Sequence, residues 1–320
     1  MRKLLTGQTF LAGLLIAAAA CVLSVQASAG SGESSTAGRE KIGLVLAGGG
    51  ARGIAHAGVI RALEEMRIPV DAIAGTSMGA LVGGLYATGM DAEDLQRVIA
   101  EMQWDEAFED ALERNARPQR RKGDDYDYPT EFRLSFSDGV LSIPLGLVQG
   151  QQTRQLIKSL VYQASAVQDF DTLPIPLRTV ATDIETGEAY IFKGGDIVTA
   201  MRASMSLPAL LAPVEHDGRL LVDGGMAMNI PVEVGQQMGV DRVIVVDIGT
   251  PLKSREEITS LLSVTSQTMG FLTRRNSLVQ LDKMRPQDIL VSPQLGPIGM
   301  LDFDQVELIY QRGSEAARAL

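Results

Sequence analysis

Ser77 is the residue of this chain best placed for nucleophilic chemistry. It lies in Gly75-Thr76-Ser77-Met78-Gly79, directly after the apolar run Ile73-Ala74 and before a stretch of helical character. A Gly-x-Ser-x-Gly run between strand and helix is a nucleophile elbow, in which a sharp turn pushes the hydroxyl out of the sheet and small flanking residues let neighbouring backbone pass close by. The hydroxyl then sits at a helix N-terminus, where backbone N–H groups favour negative charge. Alone the pentapeptide is a weak signal, because Gly and Ser are common. Two further runs give it weight. Gly48-Gly49-Gly50-Ala51-Arg52-Gly53 follows the apolar Ile42-Gly43-Leu44-Val45-Leu46-Ala47. A glycine run between strand and helix gathers N–H groups into a nest that binds a phosphate or stabilises an oxyanion. Asp223-Gly224-Gly225 follows the strand-like Arg219-Leu220-Leu221-Val222 and puts a carboxylate at a strand end.

Other chemistry competes for these residues. Gly48-x-Gly50-x-x-Gly53 also fits a dinucleotide fingerprint, but Asp71, the acid at about the right distance, precedes its strand instead of ending it. A P-loop needs Gly-Lys-Ser/Thr, and the chain has Arg52-Gly53-Ile54. Asp-Gly-Gly is by itself an ordinary turn. A Ser-His-Asp triad needs a histidine, and there are two. His56, in the helix after the glycine run, suits packing or a structural hydrogen bond. His216 lies in an exposed turn. Ser77, Asp183 and His216 follow the chain order of a hydrolase triad, so this arrangement stays open beside a Ser77–Asp223 dyad. A lone carboxylate is a weak base at its usual pKa near about 4, so a dyad requires Asp223 to be desolvated and bonded directly to Ser77. Two histidines and one cysteine give no metal-ligand spacing, and neither a metal nor another cofactor is expected.

These three runs, in this order, resemble the patatin-like phospholipases, with the likeness covering residues 41–250. The resemblance implies an α/β fold of three layers, with a largely parallel central sheet covered by helices. It implies hydrolysis of lipid acyl esters by a Ser–Asp dyad, and the lack of calcium-loop spacing among the carboxylates makes calcium-independent activity the expectation. By this resemblance Ser77 is the nucleophile and Asp223 the base. Gly48, Gly49, Gly50 and Arg52 would form the oxyanion site, with Gly53, Gly75, Gly79, Gly224 and Gly225 supporting the motifs. Arg52 would either hold its loop or bind a substrate anion. Ala181-Thr182-Asp183 and residues 204–208 are further landmarks of the pattern, without assigned chemistry.

The elements that must position these residues alternate. Strands are expected near 41–47, 70–74, 177–183, 189–192, 219–222, 243–246 and 288–292. Helices are expected near 54–66, 78–88, 91–101, 151–163, 197–205, 257–281 and from 304. Strands alternating with helices argue for a parallel sheet covered on both faces, and Val243-Ile244-Val245-Val246 is apolar throughout, as an interior strand is. Residues 102–150 are polar but hold Trp104, Phe108, Phe132, Phe136 and Leu147, and read as an insertion with a hairpin that could act as a lid.

The chain has 320 residues and a formal net charge of −10, which argues against a nucleic-acid partner. A phospholipid or other lipid ester, met at a membrane surface, is the expected substrate; oligomeric state is not legible. Residues 1–29 read as an export signal: Arg2-Lys3, an apolar stretch over 11–25, and Ala27-Ser28-Ala29 as a cleavage site. Residues 30–40 read as a flexible linker and 41–320 as the hydrolase domain. Cys21, the only cysteine, stands where a lipoprotein signal would carry its acylated residue, although Ala18 replaces the usual Leu. The intact mass of protein from its native host decides this. A chain starting at Gly30 is the expected result; an acylated Cys21 would show a membrane-anchored form instead, and an uncleaved chain would rule out both.

Overall fold

The computed structural model describes residues 39–104, 135–137, 140–142, 146–249 and 251–320. Residues Glu40–Leu320 form one compact unit. The export signal, the linker up to residue 38, and Phe108 and Phe132 of the expected lid lie outside the described residues.

Five strands make the parallel part of the sheet: β1 (Ile42–Leu46), β2 (Ala72–Thr76), β6 (Leu177–Asp183), β11 (Arg242–Val246) and β12 (Ile289–Val291), in the order β12-β11-β1-β2-β6. Antiparallel strands complete it around β6: β7 (Ala189–Phe192), β9 (Val214–His216) and β10 (Arg219–Asp223). The register on β6 has a consequence for the site. β7 pairs with Thr179–Thr182 and therefore occupies one edge of β6. β2 pairs with Leu177–Val180 and β10 with Ala181–Asp183. A strand has only two edges, so β2 and β10 share the other. They run in opposite directions, and their C-terminal ends meet head to head, Thr76 beside Val180 and Asp223 beside Ala181.

Successive side chains of a strand point to opposite faces, and both faces are covered. Helix α2 (Met78–Ala87) lies on the face of Leu46 and Ile73: a Cβ on its Gly83 would come within 2.8 Å of Ile73 and 3.0 Å of Leu46. Helix α7 (Val232–Gln236) lies on the face of Val45 and Val243, with Gly235 against Val45. Between these helices come α3 (Ala92–Glu101), α4 (Gln151–Leu160), α5 (Ile197–Ser204) and α6 (Gly225–Met228). Asp91 caps α3 by accepting from the Asp94 N–H at 2.8 Å, as expected of an N-cap.

The expected three layers and largely parallel sheet are therefore present, and Val243–Val246 is an interior strand. The hairpin expected in the insertion is β3 (Ser135–Ser137) against β4 (Val140–Ser142), and β5 (Gly146–Val148) pairs with β8 (Ala209–Leu211). Trp104 departs from the lid reading. It is buried, stacks on Phe303 at 4.5 Å and donates its indole N–H to the Ile99 carbonyl, which makes it a core residue.

Two later helices close the chain, α8 (Leu261–Leu281) and α9 (Val306–Arg318). Helix α9 backs α1 (Ala55–Glu65), which starts where the glycine run ends. Their approach depends on two reciprocal glycines: a Cβ on Gly58 would lie 2.0 Å from the Tyr310 carbonyl oxygen, and one on Gly313 would lie 2.0 Å from that of Ala55. Backbone cannot yield there as a flexible side chain would. Gly58→Ala and Gly313→Ala are each expected to destabilise the fold by about 1–3 kcal/mol or more. Equilibrium denaturation measures this, and an unchanged midpoint would show that the two helices are not in contact in solution.

Candidate active site

The head-to-head strand ends place the dyad. Ser77 follows β2, and its backbone has φ 53° and ψ −121°, a conformation that non-glycine residues seldom adopt and that costs on the order of 1–3 kcal/mol. Close packing holds it there. A Cβ on Gly75 would strike the Gly79 carbonyl oxygen at 2.4 Å, and one on Gly79 would strike that of Leu46 at 2.4 Å. Asp223 ends β10. Gly224 after it lies so close to β6 that a Cβ would sit 2.1 Å from the Val180 carbonyl oxygen. The Ser77 hydroxyl donates to Asp223 Oδ2 at 2.5 Å, and the Gly225 N–H donates to Oδ1 at 2.8 Å. Asp223 is 6% exposed. Desolvation raises its pKa to about 6, against the opposing pull of the hydrogen bonds from Ser77 and Gly225. The carboxylate is thus both desolvated and bonded directly to the nucleophile, the two conditions a dyad requires.

Residues without a sequence role complete the frame. The buried Ser204, at the end of α5, accepts from the Ser77 N–H at 2.8 Å and donates to the Val180 carbonyl at 2.6 Å. Two residues on, the Ser206 carbonyl accepts the Asp223 N–H at 2.9 Å. One short segment therefore holds the backbone of both dyad members. The Thr182 hydroxyl donates to the Asp223 carbonyl at 2.8 Å. Asn229 takes the Gly48 N–H on its carbonyl at 3.1 Å and donates its amide to Ser277 Oγ at 3.1 Å. Ser204 was visible only as part of a landmark, and Asn229 stands in no pattern.

The glycine run is one side of a cavity of about 730 Å³, open mouth included, which Ser77 and Asp223 also line. Gly48 and Gly49 line it, and neither Gly50 nor Arg52 does. The Gly48 N–H is engaged by Asn229 and is not free for an oxyanion. Gly49 and Gly50 open a 3-10 turn (Gly50–Ile54), whose first N–H groups have no intrahelical acceptor. Gly50 has φ +57°, and a Cβ would sit 2.2 Å from the Met300 carbonyl oxygen. Gly53 lies against Met78, whose Cγ would be 2.3 Å from a Cβ there.

Arg52 departs from its expected place in the oxyanion site. It is buried, and its guanidinium donates to four carbonyls: Ile248 at 2.8 Å, Gly249 at 2.8 Å, Gly296 at 3.1 Å and Ile298 at 2.7 Å. The planar fork ties the glycine loop to two distant segments and commits four of its five N–H groups to backbone carbonyls instead of a substrate anion. His56 is buried and donates Nε2–H to the Ala47 carbonyl at 2.8 Å, just before the loop. Burial lowers its pKa to about 4, so it stays neutral, in the structural role expected of it. The alternative triad is not assembled. Asp183 accepts from Arg219 at 2.7 Å, and His216 lies beside Asp217 and packs on Phe192; neither lines the cavity. Among the described residues no cluster of His, Cys, Asp and Glu could hold a metal ion.

If Arg52 is a clamp, its loss harms all substrates alike. Arg52→Lys and Arg52→Ala are expected to lower stability by at least about 2 kcal/mol, since buried carbonyls lose their donors. They should slow an uncharged short-chain ester as much as a phospholipid. A defect confined to the phospholipid would return Arg52 to anion binding.

Comparison with known proteins agrees with this geometry. A family model described as patatin-like phospholipase matches residues 44–235. An uncharacterized NTE family protein of Mycobacterium tuberculosis is 31% identical over 299 residues, 87% of this chain and 46% of its own. A lysophospholipase of Emericella nidulans is 30% identical, over 85% of this chain and 17% of its own, and mouse patatin-like phospholipase domain-containing protein 6 is 34% identical, over 65% and 14%. The chain thus spans less than half the length of these relatives. Among solved structures, VipD from Legionella pneumophila superposes with a TM-score of 0.50 at 17% identity, over 88% of this chain and 66% of that one, a likeness of fold alone. With a family match across more than half of its length, and the elbow, glycine loop and Asp-Gly-Gly turn assembled around one cavity, the chain belongs to the patatin-like phospholipase family.

Proposed function

We propose that the protein is a serine lipid acyl hydrolase that cleaves carboxyl esters of phospholipids or lysophospholipids through an acyl-enzyme. The observation that carries this is the 2.5 Å hydrogen bond from Ser77 to a buried carboxylate whose pKa is raised to about 6. At neutral pH that carboxylate is ionised and far more basic than one in water. Ser77 Oγ attacks the ester carbonyl carbon, and its proton passes to Asp223 Oδ2. The tetrahedral oxyanion is taken by the amide of Gly49, which lines the cavity, with that of Met78 at the start of α2. Collapse breaks the ester C–O bond, and the departing alkoxide takes the proton from Asp223. Water then attacks the acyl-Ser77 ester, Asp223 again accepting a proton, and the fatty acid leaves with Ser77 restored. Apolar residues of the cavity, among them Leu207, Met226, Leu278 and Leu281, suit an acyl chain. The membrane surface as meeting place, and export from the cytoplasm by residues 1–29, belong to the same proposal.

Fluorophosphonate labelling and ester kinetics test it. Wild type should be labelled and Ser77→Ala should not. Asp223→Asn should lose about 10²–10⁴-fold in turnover, the range for a positioned general base. His216→Ala should keep wild-type rates. The sign of the pH dependence follows from the raised pKa: the working form is the carboxylate, so kcat/KM should be level above about pH 6 and fall about tenfold for each unit below it. Full activity in Asp223→Asn, or a rate unaffected by acid down to pH 4, would remove Asp223 as the base.

A further inference from the structure

Helix α8 forms one wall of the catalytic cavity, with Gly270, Arg274, Ser277 and Leu281 at the i, i+4, i+7, i+11 spacing of a single face. The polar side chains of that cavity are nearly all engaged. Ser77 donates to Asp223. Asn229 donates to Ser277, and Ser277 to the Thr273 carbonyl. Thr273 donates to the Gly270 carbonyl, and Asp247 accepts the Gly249 N–H. Arg274 differs. It is exposed at the cavity and, among the described residues, the only cation lining it, and no described residue bonds or pairs with it. Helix α8 contains no Asp or Glu that could neutralise it, in a chain whose net charge is −10. Elsewhere arginines such as Arg61, Arg178, Arg219 and Arg285 are ion-paired. Among the described residues Asp247 is the one carboxylate lining the cavity besides Asp223, and it interacts electrostatically with Arg52.

A largely apolar cavity lined by one unpaired guanidinium and a serine nucleophile fits an amphiphile that carries one anionic group besides its ester. We propose that Arg274 is a phosphate subsite that binds the headgroup phosphate of the lipid while Ser77 attacks the acyl ester. A guanidinium takes two phosphate oxygens at once through its planar fork. This rests on the lipid-hydrolase reading above and adds a preference: phosphate-bearing lipids over neutral esters with the same acyl chain.

The test compares a lysophosphatidylcholine with the matching monoacylglycerol, at acyl lengths and concentrations where both stay monomeric, so that attraction to a lipid surface does not enter. In wild type the phosphate lipid should have the higher kcat/KM. Arg274→Ala should reduce the ratio of the two kcat/KM values by about 10–100-fold, chiefly through KM, as expected for lost charge-assisted hydrogen bonds. Arg274→Lys should restore part of it, and Arg275→Ala, next in sequence but outside the cavity, should leave the ratio unchanged. Inorganic phosphate, tested as an inhibitor of monoacylglycerol hydrolysis, separates the sources. Arg274-dependent inhibition without any preference for the phosphate lipid would make this a free-phosphate site and overturn the headgroup assignment. A ratio unmoved by Arg274→Ala, or moved equally by Arg275→Ala, would also overturn it while leaving the hydrolase reading intact. No hydrolysis of either lipid by wild type would defeat both.

Discussion

A carboxylate buried beside a serine, with no cation among the described residues paired to it, is the constraint on which this structure turns. Water would return Asp223 to an ordinary weak base, and an arginine paired directly with it would lower its pKa further. The fold excludes both. β2 and β10 end head to head on one edge of β6, so Ser77 and Asp223 are brought together by strand register. The glycines at 75, 79 and 224 allow backbone to close over the site where any Cβ would collide with a carbonyl oxygen. The strained backbone of Ser77 persists because Ser204 and the start of α2 hold it on either side.

Much of this was readable from residues in order along the chain. Glycine runs, a serine between strand and helix, and an acid at a strand end are local signals, and the structure places them around one cavity. The alternation of strands and helices likewise gave the layers, because apolar period and turn residues are local properties. What was not legible depends on the third dimension. Nothing near Arg52 shows that its acceptors lie at 248–249 and 296–298. A guanidinium in a glycine loop reads as an anion site, and only the folded chain shows its donors taken. Asn229 and Ser204 were unremarked for the same reason, since their partners are 181 and 127 positions away. Short strands such as β8 and β9 carry too few residues for any alternation to show.

The two histidines illustrate how environment overrules residue type. Both titrate near neutrality in water. His56 lies in a dry interior and is kept neutral, so it serves as a fixed donor beneath the glycine loop. His216 packs on aromatic rings at the edge of the sheet, away from the nucleophile. On the proposed mechanism neither is needed as a proton carrier, and the lower pH limit is set by how thoroughly Asp223 is dried.

The long reach of Arg52 bears on when the protein becomes active. Its nucleophile is near the start of the folded unit, its base at 223, and the last carbonyl anchoring the glycine loop at 298. A chain emerging from the ribosome therefore carries Ser77 without Asp223 until residue 223 is made, without the wall of α8 until residue 281, and without the last loop anchor until residue 298. Contacts so distant in sequence form late. The candidate nucleophile, its carboxylate and the last anchor of the glycine loop can therefore come together only after residue 298 has been made.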